Sequence, residues 1–540
     1  MPCSSRWQRN WNAPPHGSTG VPLFSVAENP VKNTEILALT AREIASAVGS
    51  GALTVRAVAE AHLEHVAKTD GPVMAWQHLD ADHALACAAA MDRKGVKGAL
   101  AGVPIGVKDV IDTADMPTGY GTAIYEGFQP PWDAPAVQIA KNSDALILGK
   151  TVSTELAMAS PNKTRNPHNP AHTPGGSSSG SCAAVAAGMV PLAFGTQTSG
   201  SVIRPASFCG VTAFKPTFGM INTVGIKVLC HGLDTLGIIS RNIGDAAHCA
   251  AVLGGRPELA QLTPPARPRI GILLGTRLEK AETSSIEAVN RLASIAQVAG
   301  AEVTTIPVPA WYDGIFDLHE AVMGWEVTQS LAFEIGRHWD ELTPVTRAML
   351  ADQGRVGEVR YRSAMAEIPP IRHLMDSILS RFDAVLTLAA PGEAPEGTAT
   401  GDPIFNRLWS VLQVPLICLP VAKGPRACRS GFSSSGLAAR ITASVPPPCF
   451  SKPPSRQMER SHDPTPDRSA GRRFSHGNAA VGGNGEHHHR RGGRVPARID
   501  RDRGLLDVGD PALDARLRQS LRRGAQGDHG GWQLLRQHSR

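Results

Sequence analysis

Four serines crowd into residues 177–181 of a run of small residues, Pro174-Gly-Gly-Ser-Ser-Ser-Gly-Ser-Cys-Ala-Ala-Val-Ala-Ala-Gly188. A serine hydroxyl attacks a carbonyl usefully only when a neighbouring base takes its proton. Two short patterns of that kind occur. Gly176-Ser-Ser-Ser-Gly180 fits G-x-S-x-G around Ser178, but that form needs a strand leading into it, and Asn169-Pro-Ala-His-Thr-Pro174 does not read as one. Ser160-Pro-Asn-Lys163 fits S-x-x-K in a Pro- and Asn-rich loop, where chance accounts for it. Nor is the run a Gly/Ser linker. The stretch from Cys182 to Phe194 that follows is small and apolar, suited to a buried core.

The surrounding elements are legible from periodicity. Thr40-Ala-Arg-Glu43 reads as a capping box opening a helix, and a second helix covers Val55 to Lys68. Residues 101–109, Ala-Gly-Val-Pro-Ile-Gly-Val-Lys-Asp, read as a short strand ending in a charged pair. Ala145 to Leu148 reads as a strand entering Gly149-Lys-Thr151 and then a helix. Further strands are expected at Arg269 to Leu274, Glu302 to Ile306, Phe382 to Leu388 and Val414 to Leu419, with a helix over Ile286 to Ala299. Short apolar strands alternating with longer helices predict an α/β fold, a mixed sheet covered by helices on both faces.

The serine run does not stand alone. Downstream come Gly195-Thr-Gln-Thr-Ser-Gly-Ser-Val-Ile-Arg-Pro-Ala-Ser-Phe-Cys-Gly210 and Phe214-Lys-Pro-Thr217. Together with the run, these resemble the amidase signature family of serine hydrolases. The likeness extends to Gly106-Val-Lys-Asp109, Leu148-Gly-Lys-Thr151, Leu233-Asp-Thr-Leu-Gly237 and Asn406-Arg-Leu-Trp-Ser410, and so covers about residues 38–424. It implies the amidase signature fold, with an atypical C-terminal part, and a Ser–Ser–Lys triad. By position Ser201 matches the acylated nucleophile, Ser177 the bridging serine, which follows a cis peptide bond in the family, and Lys108 the base. The activity implied is hydrolysis of a carboxylic acid amide to the acid plus ammonia or an amine. An amidase-like subunit of a tRNA-dependent amidotransferase is the alternative. No cofactor or metal is implied, and the partners expected are a small-molecule amide substrate and a second copy in a homodimer, without nucleic acid or membrane.

Physical chemistry supports the same set beside the resemblance. Lysine serves as a base only where burial lowers its pKa far below about 10.4, and an apolar strand end such as Val107-Lys108 can do that. Thr198, Ser199, Gly200 and Ser201 are small enough to present backbone N–H groups to a developing oxyanion. Ser178 is expected to support the network by hydrogen bonding. Plainer roles compete with these. Lys108 would pair with Asp109 at the surface, Ser177 to Ser179 would cap the helix that follows, and Ser201 would be a turn residue. Arg204 suits a structural ion pair, Lys150 and Lys215 structural roles, and His231 and Cys209 core or pocket lining. Gln197 and Ser199 stand where many family members have Asp and Gly.

Composition bounds the rest. The chain has 540 residues, a net charge of +6, nine scattered cysteines and no C-x-x-C pair, which points to a reduced cytoplasmic protein rather than a zinc protein. No uninterrupted apolar run reaches about 18 residues, and the N-terminus lacks the apolar segment of a secretory signal. The charge is uneven. Residues 425–540 hold 21 Lys+Arg against 10 Asp+Glu, a balance of +11, so residues 1–424 carry −5. An acidic body does not suggest nucleic-acid binding. Residues 1–37 are expected to be a poorly ordered extension, 38–424 the amidase domain, and 425–540 an Arg/Pro/Gly-rich tail, disordered or derived from a frameshift. For one choice of synonymous codons, a neighbouring reading frame from Arg426 onward yields a Gly-rich segment of the family's kind. That reading predicts the loss of a strand and helix behind the site, an uncovered sheet edge, and weak or absent activity from a catalytically impaired homologue.

Overall fold

The computed structural model of the chain describes residues 32–261 and 263–423 and the backbone of 434–441. Apolar, β-branched segments form β1 (Trp76–His78), β2 (Pro104–Lys108), β3 (Leu146–Thr151), β4 (Leu192–Gln197), β5 (Thr212–Lys215) and β6 (Thr235–Ser240). The remaining strands are β7 (Arg269–Ile272), β8 (Glu302–Thr305), β9 (Ala384–Leu388), β10 (Leu416–Lys423) and β11 (Ser434–Ile441). They make one sheet in the order β1-β3-β2-β4-β6-β5-β10-β11-β9-β7-β8. Pairing is parallel at β3–β2, β2–β4, β9–β7 and β7–β8 and antiparallel elsewhere, so the sheet is mixed as expected. Every residue of β2 to β6 is buried, which requires cover on both faces.

The helices follow their sequence signals. Thr40 caps the helix Ala41–Gly49 in a reciprocal capping box with Glu43. The helix Val55–Val73 runs five residues past the expected Lys68 and ends at Met74 in the left-handed region. Thr283–Val298 forms the helix expected near 286–299.

Four boundaries differ from the sequence reading. β3 continues through Gly149-Lys-Thr151, and a single 3-10 turn at Glu155–Ala157 follows instead of a helix. The parallel partners β2 and β3 stay in register as far as Lys108 opposite Thr151, so the ladder extends the strand. A helix, Asn33–Ala38, lies within the expected N-terminal extension and buries Ile36. The composition break near residue 424 does not end the sheet. β11, which belongs to the segment read as tail, pairs antiparallel with both β10 and β9, Leu437 lying opposite Leu419 and Leu388. The expectation of an uncovered edge there is therefore corrected, because β11 occupies the place between β10 and β9. Residues 1–31 and 442–540 lie outside the described residues. Among the described residues no helix is long and apolar enough to cross a membrane.

Candidate active site

Neighbouring strand ends and two loops build the site. Val107 of β2 lies opposite Phe194 of β4 in a parallel ladder, so the next residues, Lys108 and those after Phe194, converge at one end of the sheet. Lys108 is fully buried there. Its Nζ donates to Ser177 Oγ at 2.7 Å and to Thr196 Oγ1 at 2.7 Å. Burial pushes its pKa down to about 7, against a smaller opposing pull from the Asp234 carboxylate.

The plain reading of Lys108 as a surface partner of Asp109 is overturned. Asp109 gives its carboxylate to Lys150, at 3.2 Å, with both side chains buried. Lys150 also donates to Thr118 Oγ1 at 2.5 Å. Lys215, the third buried lysine, donates to the Pro216 carbonyl at 2.8 Å. Neither reaches Ser177 or Ser201, which agrees with structural roles for both.

The serine run crosses the same end of the sheet. The Gly176–Ser177 peptide bond is cis. A Cβ on Gly176 would lie 2.7 Å from Thr400 Cγ2, and one on Gly180 only 2.3 Å from Ala75 O and Val152 N. Gly180 thus allows backbone to approach backbone closely, and Gly176 lets the run pass against the Thr400 and Thr154 side chains. The helix Ser179–Ala186 starts in the run, but no side chain caps it. The expected capping role of the serines is corrected. Ser178 Oγ instead donates to Thr196 O and accepts from Thr196 N–H, both at 3.2 Å. Ser181 Oγ donates to Phe194 O at 2.8 Å. The run is stitched to β4 and the adjoining turn.

Residues 198–201 form the loop between β4 and the helix Ile203–Cys209. Gln197 Oε1 accepts from Val202 N–H at 2.9 Å and Ile203 N–H at 3.0 Å, so its side-chain carbonyl does the work of an acidic cap. The backbone N–H groups of Thr198, Ser199, Gly200 and Ser201 have no acceptor among the described residues. Ser201 lies at the edge of the site, partly exposed. Its carbonyl accepts from Ser178 N–H at 3.2 Å, which joins the two serine segments through the main chain. No direct hydrogen bond links the hydroxyls of Ser177 and Ser201 among the described residues.

A cavity of about 400 Å³ opens beside Ser201, lined by Thr198, Ser199, Arg204, His319 and Glu320 among others. Arg204 is not the ion-pair partner expected of it. Nε donates to Thr400 O at 2.7 Å and Nη2 to Gly176 O at 2.8 Å, tying the helix Ile203–Cys209 to the glycine run. Cys209 is buried in the core, whereas His231 is exposed, so His231 lines no core.

Three participants escaped the sequence reading. Thr196, the second partner of Lys108, sits one residue before Gln197, and only the register of β2 against β4 places it. Asp234 is half-buried, and desolvation raises its pKa to about 6. It accepts from Thr198 Oγ1 at 2.5 Å and from Leu229 and Cys230 N–H, so the Leu233-Asp-Thr-Leu-Gly237 motif held the signal. His319, in the helix Gly314–Ser330, carried none.

The arrangement combines a buried lysine without a buried counter-ion, hydroxyls beside it, free N–H groups on an adjoining loop, and a cavity. Comparison with known proteins bears on the family and the fold. The family model described as Amidase matches residues 57–438. The A subunit of the glutamyl-tRNA(Gln) amidotransferase of Thermobifida fusca (strain YX) is 44% identical over 224 residues, covering 40% of this chain and 45% of that one. The protein of the same name from Streptomyces avermitilis is 36% identical over 304 residues, or 52% and 61% of the two chains. The chain thus spans about half the length of these curated relatives. Among solved structures, one described as an amidase superposes with TM-score 0.67 at 27% identity over 75% of this chain and 95% of its own. The peptide amidase of Stenotrophomonas maltophilia gives 0.63 at 25%, over 75% and 94%.

Proposed function

The chain belongs to the amidase family, and from that premise we propose that it hydrolyses the C–N bond of a small carboxylic acid amide through an acyl-enzyme on Ser201. The observation that carries this reading is Lys108. It is buried, lacks a paired carboxylate, and is drawn down to a pKa of about 7 with Nζ 2.7 Å from Ser177 Oγ. Burial makes such a lysine a base near neutrality.

Neutral Lys108 takes the Ser177 proton while Ser177 takes that of Ser201. Ser201 Oγ bonds to the amide carbon, and the carbonyl oxygen becomes an oxyanion facing the N–H groups of residues 198–201. The proton returns through Ser177 to the amide nitrogen as the C–N bond breaks, releasing ammonia or an amine. Water then attacks the acyl carbon, giving its proton back along the same relay, and the acid leaves with Ser201 restored. Each N–H donor to such an oxyanion is worth about 2.7–4 kcal/mol. Lys108, Ser177 and Ser201 are the catalytic residues of this reading, with Thr198, Ser199, Gly200 and Ser178 in support.

The test is labelling by a fluorophosphonate. Labelling of the chain that is lost in Ser201→Ala and retained in Ser178→Ala supports the reading. Loss in Ser178→Ala alone would move the nucleophile to the serine run. A second reading, favoured by the names of the curated relatives, is that the chain serves as an amidotransferase subunit that releases ammonia from glutamine. Glutaminase activity that appears only with added partner subunits would select it. The impaired-homologue reading rested on the loss of a strand and a helix; β11 pairs between β10 and β9, which favours the active reading, and the helix part lies outside the described residues.

A further inference from the structure

The oxyanion loop is gripped by three different elements. Thr198 is held by Asp234. Gly200 packs where a Cβ would meet Pro403 Cβ at 3.1 Å and Asn406 Cβ at 3.2 Å. Ser199, between them, is held at both ends. Its carbonyl accepts from Ser410 Oγ at 3.3 Å, and its hydroxyl lies 2.9 Å from His319 Nε2 and 3.5 Å from Met323 Sδ. His319 and Met323 belong to the helix Gly314–Ser330 and line the same cavity.

Nothing in the reaction above uses His319. It is 2% exposed, and its second ring nitrogen, Nδ1, is buried without a partner. Burial, reinforced by the nearby Arg407 cation, lowers its pKa to about 3, so the imidazole is neutral at any working pH. It is therefore no counter-charge to the oxyanion and no relay. Its single hydrogen bond goes to Ser199, two residues before the nucleophile.

We propose that Ser199 and His319, both lining the cavity, form a positioning pair that aligns the 198–201 N–H groups with the carbonyl oxygen of the substrate attacked by Ser201. The pair rests on the reading of Ser201 as nucleophile. Ser199 is a positioning residue by its side chain, and His319 acts only through it. Removing the Ser199 hydroxyl leaves the loop one anchor fewer on the cavity side, and small misplacements of reacting groups are expensive in rate.

The test follows phosphonylation of the full 540-residue chain by a small alkyl fluorophosphonate, separating the maximal rate from the half-saturating concentration. In that step Ser201 Oγ bonds to phosphorus, fluoride leaves, and the serine proton passes to Lys108, while the P=O oxygen faces the loop. Ser199→Ala is expected to lower the maximal rate about tenfold with the half-saturating concentration within about twofold. His319→Ala is expected to match it, and the double variant to be no slower than either single one. Ser199→Thr, which keeps the hydroxyl, is expected to restore most of the rate. An unchanged rate in Ser199→Ala, a change in half-saturation alone, or multiplicative losses in the double variant would overturn the pair. If His319→Ala does not fold, Ser199→Ala against Ser199→Thr decides. A parent chain that fails to label overturns the Ser201 reading and the pair with it. A parent that labels while Ser199→Ala labels equally fast overturns the pair alone.

Discussion

Asp109 follows Lys108 in the chain, yet its carboxylate lies 3.2 Å from Lys150, and among the described residues Lys108 has no carboxylate at ion-pair distance. Adjacent residues leaving a strand point to opposite sides, so the charged pair read from the sequence is divided between two environments. One buried lysine meets a carboxylate at ion-pair distance, while burial draws the pKa of the other down to about 7.

The first consequence is a pH dependence. Lys108 acts as a base only when neutral, and burial holds its pKa near 7. The kcat/KM for an amide substrate is expected to rise with pH through about 7 and level off above it. Below that point it falls about tenfold per pH unit. Lys108→Met is expected to lower the rate by about 10²–10⁴ on the plateau above about pH 7, and by progressively less below it. A steady-state pH profile on the parent and variant checks both.

The same shift has a cost in stability. The folded-state pKa of Lys108 lies near 7, below its ordinary value of 10.5. Between those values the unfolded chain binds the extra proton, so this group's contribution improves as pH rises through the window. The penalty is full below about 7 and gone above the ordinary value. Lys108→Met is therefore expected to be more stable than the parent, by a margin largest near pH 6 and shrinking toward pH 10. Urea unfolding at a series of pH values measures it.

Asp109→Asn leaves Lys150 buried with no carboxylate. Both side chains are at most 1% exposed, so solvent cannot replace the lost partner. The expected loss is about 3–5 kcal/mol of unfolding free energy, and replacing both residues with apolar ones of similar size is expected to cost less. Denaturant midpoints at fixed pH distinguish the two outcomes.

Thr196→Val removes one of the two hydroxyls that accept from Lys108 Nζ while keeping the shape of the side chain. An acceptor favours the ammonium form, so its loss is expected to move the midpoint of the pH–rate profile to lower pH. The maximal rate is expected to fall about tenfold, the scale of one hydrogen bond to a charged group. A profile unmoved by Thr196→Val would mean that Ser177 alone sets the state of Lys108.

Much of this was legible in the sequence. Thr40 and Glu43 announced a helix start, because a capping box is satisfied within four residues. The strand ending near Lys108 was visible because apolar β-branched runs have few other solutions, whereas β4 (Leu192–Gln197) lay in and beyond a stretch read only as apolar core. Ser177, Ser201 and Lys108 stood out through motif resemblance, and the fold brings Lys108 against Ser177 across 69 positions. The end of β3 was misread because the ladder with β2, a tertiary feature, carries the strand on through Thr151. β11 was missed because its composition breaks with the body while its pairing with β10 and β9 depends on backbone groups that every residue shares.

By itself, then, the sequence determined the residue types available for acyl transfer, the helix and strand signals that flank them, and the membership that the motifs express. Tertiary structure decided what each buried lysine meets. Lys108, Lys150 and Lys215 are all buried, and local sequence does not tell them apart. What separates them is the partner each meets, a hydroxyl pair, a carboxylate or a carbonyl, and those partners arrive from strands and loops distant in the chain. A pKa is set by desolvation and by the charges within a few ångströms, and both are properties of the packed core rather than of the chain order.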